Sequence, residues 1–263
     1  MIAWIRIGLA VAVVLITTLV LLPFHLVFLW LELPWRNRLP RFWHKAALWA
    51  IGIKVHVHGE AMQRRPLLIA ANHSSWLDIL VIASVVDATF VAKSEVRAWP
   101  VFGLLARLQR SIFIKREERR QTRDQADEMA TRLNAGEAVI LFPEGTTTDG
   151  NRLREIKSSL FAAATSAAHT APGGVVHVQP VAVSYTRIHG MAMGHYHRPV
   201  ATWPGNVELL PHLLGVLKTG AIDVEVRFGD TVDVTPATSR KHVSAFVRDQ
   251  LRDMLEKSLR GRG

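Results

Sequence analysis

The sequence predicts an α/β fold: a mixed, mostly parallel sheet flanked by helices, behind an N-terminal membrane-anchoring helical segment. Three observations lead there. Residues 7–22, IGLAVAVVLITTLVLL, are apolar without a break. After Gly52, short apolar runs of strand length alternate with segments of helical periodicity, as in chains that build layered sheets and helices. Two of those runs, LLIAAN (67–72) and EAVILF (137–142), are apolar throughout, as strands buried on both faces are. The expected organisation is an anchor with interfacial helices over 1–52 and one domain over 53–263.

The elements follow in order. The apolar run passes Pro23 and extends to Leu31, longer than the roughly 20 residues a bilayer-crossing helix needs. A signal peptide would have a shorter apolar core and a small-x-small cleavage site; here Trp30, Trp35, Arg36, Arg38 and Arg41 follow, which suits a membrane interface. Only Arg6 precedes the run, so the positive-inside rule puts the rest of the chain in the cytoplasm. Pro23 and His25 also allow a kinked or re-entrant pair of half-helices. Residues 41–52 place Phe42, Ala46, Trp49 and Ala50 at helical spacing, for a helix lying on the membrane or packed on the domain. Strands are expected at 53–59, 67–72, 88–92, 111–114, 137–142, 176–185 and 221–229. Helices are expected at 75–86, 101–109, 117–135, 155–169 and 239–259, and loops with short helices at 190–220.

A net charge of +10 calls for anionic partners: phospholipid headgroups, phosphorylated substrates or nucleic acid. The charge is spread along the chain without aromatic interleaving, so no nucleic-acid partner is expected. The absence of cysteine excludes disulfides, a thiolate zinc site and a cysteine nucleophile. No G-x-S-x-G elbow is present, and no third ligand stands near His73 and Asp78 at a metal-site spacing, so no metal is expected.

Four clusters carry candidate chemistry. In Asn72-His73-Ser74-Ser75-Trp76-Leu77-Asp78 a buried strand gives way to a helix. Within one helix, residues five apart lie about 140° apart and cannot meet. With the helix starting at Ser75, the Asp78 carboxylate can curl back to His73 Nδ1 and leave Nε2 as a base; equally, Asp78 can serve only as a helix cap. Ser111-Ile112-Phe113-Ile114-Lys115-Arg116 delivers two cations at a strand end, for a phosphate or simply as a basic helix start. Phe142-Pro143-Glu144-Gly145-Thr146-Thr147-Thr148 ends a buried strand in a turn that can bring backbone N–H groups to an anion, or be an ordinary turn. Val178-Gln179-Pro180-Val181-Ala182 sets a proline inside an apolar strand, which should mark an edge or a bulge.

In order and spacing the four clusters resemble the PlsC-type 1-acyl-sn-glycerol-3-phosphate acyltransferases over about residues 55–190, with a family-like tail to roughly Gly229. NHSSWLD resembles the family's N-H-x4-D block, SIFIKR its Phe-Ile-x-Arg block, FPEGT its Phe-Pro-Glu-Gly block and VQPVAV its fourth block. VAKSEVRAWPVFG is also family-like, with Lys93, Glu95, Pro100 and Gly103 in place. The resemblance implies His73 and Asp78 as the catalytic pair, and Arg116, Glu144, Gly145, Thr146, Phe113, Lys115 and Lys93 on the substrate side. It implies acyl transfer from acyl-CoA or acyl carrier protein to the sn-2 hydroxyl of a lysophospholipid, lysophosphatidate giving phosphatidic acid. No cofactor beyond that co-substrate is implied, and the setting is a bacterial-type inner membrane with the catalytic domain on its cytoplasmic face. Arg110 stands where the family often has Gly, and Thr147 and Thr148 where it often has Arg or Ser. Some bacterial relatives of this kind acylate lyso-ornithine lipid, which has no phosphate monoester, and that acceptor is the alternative expectation. A hydrolase using the same His-Asp pair and a non-enzymatic basic membrane binder are the remaining alternatives.

Overall fold

The structure, a computed structural model, describes residues 1–114 and 121–260. The chain runs α1 (Ile2–Trp30), α2 (Trp35–Ile51), β1 (Ile53–His58), β2 (Leu67–Ala71), α3 (Leu77–Val85), β3 (Thr89–Lys93), α4 (Phe102–Leu108), β4 (Ile112–Ile114), α5 (Gln121–Asn134), β5 (Ala138–Leu141) and α6 (Ala162–Ala168). It continues through β6 (Val176–Ile188), β7 (Met191–Ala192), α7 (Gly194–His197), α8 (Leu209–Thr219), β8 (Ile222–Phe228), β9 (Val232–Val234) and α9 (Arg240–Leu259).

One sheet has the order β1-β8-β6-β2-β5-β3-β4, with β7 and β9 also paired to β6. Strands β6, β2, β5, β3 and β4 are mutually parallel. The sheet is mixed because β8 runs antiparallel to β6 and parallel to β1. Alternate side chains leave opposite faces of a strand. Along β2, Leu68 and Ala70 meet α5, α6 and α9, whereas Leu67, Ile69 and Ala71 meet the layer of α2, α3 and α8. Both faces are therefore covered, which is why β2 and β5 read as unbroken apolar runs.

Pro180 corrects the expectation of an edge or a bulge. It lies in β6, inside the sheet, opposite Ala70 of β2. On the other side of β6, β9 pairs with Val176–Val178 and β8 takes over from Val181. The Pro180 carbonyl accepts from Gly229 N–H at 2.9 Å on that side, and the nitrogen of the same residue faces the same way. The missing N–H thus falls in the gap between two partner strands, where no donor is needed. The irregularity in register lies elsewhere, between Tyr185 and Arg187.

Other differences are local. The helix expected at 155–169 is a 3-10 turn over Ser158–Phe161 followed by α6. Within 190–220 stands α8, 11 residues long. Its Pro211 occupies the first turn, where proline needs no hydrogen-bond partner. α8 is the longest of the short helices in this loop-rich stretch, as the sequence leads one to expect.

α1 passes through Pro23 as one continuous helix of 29 residues, long and apolar enough to cross a membrane, with a mean hydropathy of 2.7 over an 18-residue stretch. A turn at 31–34 folds α2 back along it, and Trp43 Nε1 donates to Thr18 Oγ1 at 2.8 Å. Both ends of α1 touch the domain. The Arg6 guanidinium donates to the carbonyls of Thr219 (2.8 Å) and Ile51 (2.6 Å), and His25 Nε2 lies 2.9 Å from the Leu108 carbonyl. α2 packs on the domain through Ala47, Leu48 and Ile51, which are buried, while Trp35, Phe42 and Trp49 are exposed with Arg38 and Lys45 between them.

Arg6 closes the junction of α1, α2 and α8 by satisfying the last carbonyls of two helices. Arg6→Met keeps the bulk and removes both bonds. The expected loss is about 1–3 kcal/mol, or about 2–4 °C in Tm per kcal/mol for a chain of this size, read by thermal unfolding in detergent.

Candidate active site

The parallel strands β2, β5, β3 and β4 end along one edge of the sheet, where open α/β sheets place their sites. β2 leads into His73 and β5 into Phe142–Thr148; β3 ends at Lys93 and β4 contains Phe113. As β2 leaves the sheet, Asn72 takes over from the backbone. Its Nδ2 donates to the Val183 carbonyl (3.0 Å) and its Oδ1 accepts from Val183 N–H (2.7 Å), continuing the β2–β6 pairing by one residue.

Asp78 organises the turn that follows. It is fully buried. Its Oδ2 accepts from His73 Nδ1 at 2.9 Å, Ser74 N–H at 2.7 Å and Ser75 N–H at 2.9 Å, and its Oδ1 accepts from Tyr185 OH at 2.7 Å. The cap and the histidine partner are therefore the same carboxylate. α3 starts at Leu77, two residues later than expected, with Asp78 N–H turned onto the Ser75 carbonyl.

His73 is held from three directions. Its ring stacks on Phe142, centroids 4.0 Å apart and planes 16° from parallel. Its backbone N–H donates to Glu144 Oε1 at 2.7 Å. Its carbonyl accepts from Thr148 N–H (3.0 Å) and Thr148 Oγ1 (3.3 Å). An ionised Asp78 can only accept, so the ring carries its proton on Nδ1. Nε2 has no hydrogen-bond partner among the described residues, and the side chain keeps 16% of its surface open. The arrangement is an imidazole oriented by a buried carboxylate with Nε2 left open, a geometry suited to a base.

The other sequence-predicted site residues spread along the same edge. Glu144 is buried, and its oxygens accept from His73 N–H and from Arg154 N–H (2.8 Å). The carboxylate read as an acceptor contact thus braces the loop of the base. Burial raises its pKa above the ordinary carboxylate value, against the two N–H donors that pull it down. Gly145 turns at φ 74°, where a Cβ would stand 3.1 Å from Lys157 Nζ. Thr146 Oγ1 would lie 3.4 Å from a Cβ on Gly205. Lys93 Nζ pairs with Glu95 at 2.7 Å, and Phe113 packs under the Arg97 guanidinium at 5.8 Å. β4 lies three strands from β2, about 14 Å at the usual strand spacing. Lys115 and Arg116 lie outside the described residues. Among the described residues no group of three or more His, Cys, Asp or Glu side chains is placed to hold a metal.

Tyr185 is a site residue that sequence reasoning missed. Its side chain is buried in β6, and burial together with the Asp78 charge pushes its hydroxyl well above the ordinary tyrosine range, so it stays a donor. Its signal was a hydroxyl-bearing ring just past the apolar run Val181–Val183 of a buried strand. The segment after β7 was missed as well: Trp203 N–H donates to the Ser74 carbonyl at 2.7 Å, and Trp76 Nε1 donates to His212 Nδ1 at 3.0 Å.

Comparison with known proteins agrees with this geometry. The family model described as "Acyltransferase" matches residues 54–184. The lyso-ornithine lipid O-acyltransferase of Rhizobium meliloti (strain 1021) is 55% identical over 262 residues, 100% of this chain and 90% of the relative. The lyso-ornithine lipid O-acyltransferase of Brucella abortus (strain 2308) is 49% identical, over 100% of this chain and 98% of that protein. The chain belongs to the PlsC-type lysolipid acyltransferases. Their fold is shared with the crystal structure of the 1-acyl-sn-glycerophosphate (LPA) acyltransferase PlsC from Thermotoga maritima, at a TM-score of 0.61 and 19% identity over 98% of both chains.

For a lysolipid acyltransferase with this constellation, two expectations follow. Tyr185→Phe removes one of four donors to Asp78 and should lower kcat about 10- to 100-fold with little change in KM, the scale of a hydrogen bond to a charged group. Steady-state kinetics check it; an unchanged kcat would show that the turn alone holds Asp78. Glu144 has a raised folded pKa, so its contribution to stability is full below the unfolded value and is lost as pH rises through the folded one. The Tm of wild type relative to Glu144→Gln should therefore fall as pH rises above the ordinary carboxylate range of about 4. Melting curves of both proteins at rising pH measure it.

Proposed function

We propose that this acyltransferase completes ornithine lipid, transferring an acyl chain from acyl-CoA or acyl carrier protein to the free hydroxyl of lyso-ornithine lipid. The observation that carries the reading is likeness over the whole chain, at 55% identity, to an enzyme named for that acceptor. Lysophosphatidate, the acceptor the motifs imply, is supported by relatives that match half of this chain, such as the 1-acyl-sn-glycerol-3-phosphate acyltransferase of Neisseria gonorrhoeae at 37% identity over 134 residues, and by a structural neighbour at 19% identity, which speaks for the fold alone. The lipid-facing setting fits: α1 and α2 turn apolar and aromatic side chains outward. With the basic cluster after α1, the proposed location is the inner membrane with the domain on its cytoplasmic face.

In the proposed mechanism His73 Nε2 takes the proton of the lipid hydroxyl as its oxygen attacks the thioester carbonyl. The new C–O bond forms, the C–S bond breaks, and the leaving thiolate receives the proton from the imidazolium. Asp78 stabilises that imidazolium and fixes the ring while the charge exists. Transfer is direct, with no acyl-enzyme.

Purified protein given labelled acyl donor and a panel of lysolipids is expected to form ornithine lipid. His73→Ala should lose at least the roughly 10²–10⁴-fold that a general base supplies. Release of free fatty acid without acceptor would make the protein a hydrolase, and near-wild-type transfer by His73→Ala would remove the base from the mechanism.

A further inference from the structure

Arg198 stands out among the charged groups near the site. It is 6% exposed, and its Nε has no hydrogen-bond partner. Its NH1 donates to the amide oxygen of Asn151, a neutral acceptor, and among the described residues no carboxylate lies within ion-pair distance of it. Its opposite charge is Asp149, which acts on the guanidinium from beyond ion-pair distance, so this buried group is only partly compensated where such groups are ordinarily paired directly.

Its position links it to the base. A Cβ on Gly150 would stand 3.2 Å from Arg198 Cδ and 3.5 Å from Ser74 Cβ, so the arginine stem and the residue next to His73 flank one point. Gly150 holds φ 70°, a left-handed conformation that suits glycine. The segment bearing Arg198 is tied to this place, because Thr202 Oγ1 donates to the Asp149 carbonyl (3.1 Å) and Trp203 N–H to the Ser74 carbonyl. Ser74 Oγ is a second buried polar atom here without a partner. Asp149, exposed on the same loop, supplies the opposite charge: Asn151 N–H and Nδ2 donate to its oxygens at 3.0 and 2.9 Å, which leaves acceptor capacity on the carboxylate.

We propose that Arg198 binds the carboxylate of the acceptor's ornithine headgroup and that Asp149 attracts its terminal ammonium. This rests on the lyso-ornithine lipid reading and names the part of the site that would recognise that lipid. An N-acylated ornithine carries one carboxylate and one ammonium, the complement of a buried guanidinium beside an exposed carboxylate. A planar carboxylate matches the guanidinium fork. A phosphate monoester would meet Arg198 equally well but would also meet the negative charge of Asp149. The pair therefore discriminates between headgroups as well as binding one.

The test compares lyso-ornithine lipid with its carboxamide analogue on the same enzyme preparation, so that the ratio of kcat/KM values is independent of how much protein is folded. Wild type should prefer the carboxylate by about 10-fold or more, the scale of a charged hydrogen bond. Arg198→Gln should bring that ratio close to one. Asp149→Asn should lose several-fold on the natural lipid, none on the analogue acetylated at the terminal nitrogen, and gain on lysophosphatidate. If wild type uses both acceptors equally, or Arg198→Gln keeps the wild-type ratio, the assignment is overturned while the lyso-ornithine reading stands. If wild type acylates lysophosphatidate but not lyso-ornithine lipid, both fall together. Should Arg198→Gln fail to fold, the wild-type ratio alone decides.

Discussion

The Asp78 carboxylate is a charge with no exposed surface, and much of the site is arranged around keeping it there. An ion taken out of water to this extent costs several kcal/mol unless strong hydrogen bonds replace its hydration. Four donors do so. Three of them, His73 Nδ1 and the N–H groups of Ser74 and Ser75, belong to the turn between β2 and α3; the fourth, Tyr185 OH, comes from β6. The positive end of α3 adds its field to theirs. One side chain thereby sets the turn, the start of the helix and the ring of the base. Asn72 clamps the same two strands one step earlier through Val183. The histidine is oriented by groups that are satisfied before any substrate arrives, which is what preorganisation requires.

A second set of contacts fixes where the base points. Phe142 offers its face to the imidazole, Glu144 holds the His73 N–H, and Thr148 holds its carbonyl; all three follow β5, the immediate neighbour of β2. Phe-Pro-Glu-Gly and Asn-His-x4-Asp thus serve one geometry, because parallel pairing of β2 and β5 delivers their ends side by side. Glu144 accepts a raised pKa as the consequence of being buried for this purpose.

The sequence showed what local physics controls. β2 and β5 were legible because burial on both faces leaves no polar position; the His73–Asp78 contact was geometrically allowed by a turn before a helix start but stood level with a plain helix cap until the four clusters were taken together. Tyr185 was hidden, since its bond to Asp78 joins residues 107 apart in the chain. Pro180 was misread because its tolerance depends on β9 handing over to β8 beside it, a fact of topology. Arg198 was masked by lying in a segment whose composition resembles loop. Each miss concerns a residue whose environment is made by distant chain.

The N-terminal helices α1 and α2 are linked to the His73 turn through hydrogen bonds. Arg6 of α1 holds the last turn of α8 through Thr219, and His212 in the first turns of α8 holds Trp76, three residues from His73. Arg41 of α2 donates to the carbonyl of Ser84 near the end of α3, whose first turn carries Asp78. Two short helices, α8 at about 16 Å and α3 at about 14 Å by helical rise, therefore connect the α1–α2 hairpin to Trp76 and Asp78, which follow His73 in its turn. A hairpin seated in lipid by its exposed aromatic and apolar faces would hold the base at a set height above the bilayer. A lysolipid reaches such a site by a small displacement toward the protein, its chain staying in the apolar phase while its hydroxyl meets Nε2. That coupling explains why a domain with a complete core of its own keeps both ends of α1 bonded to it instead of hanging from a free helix.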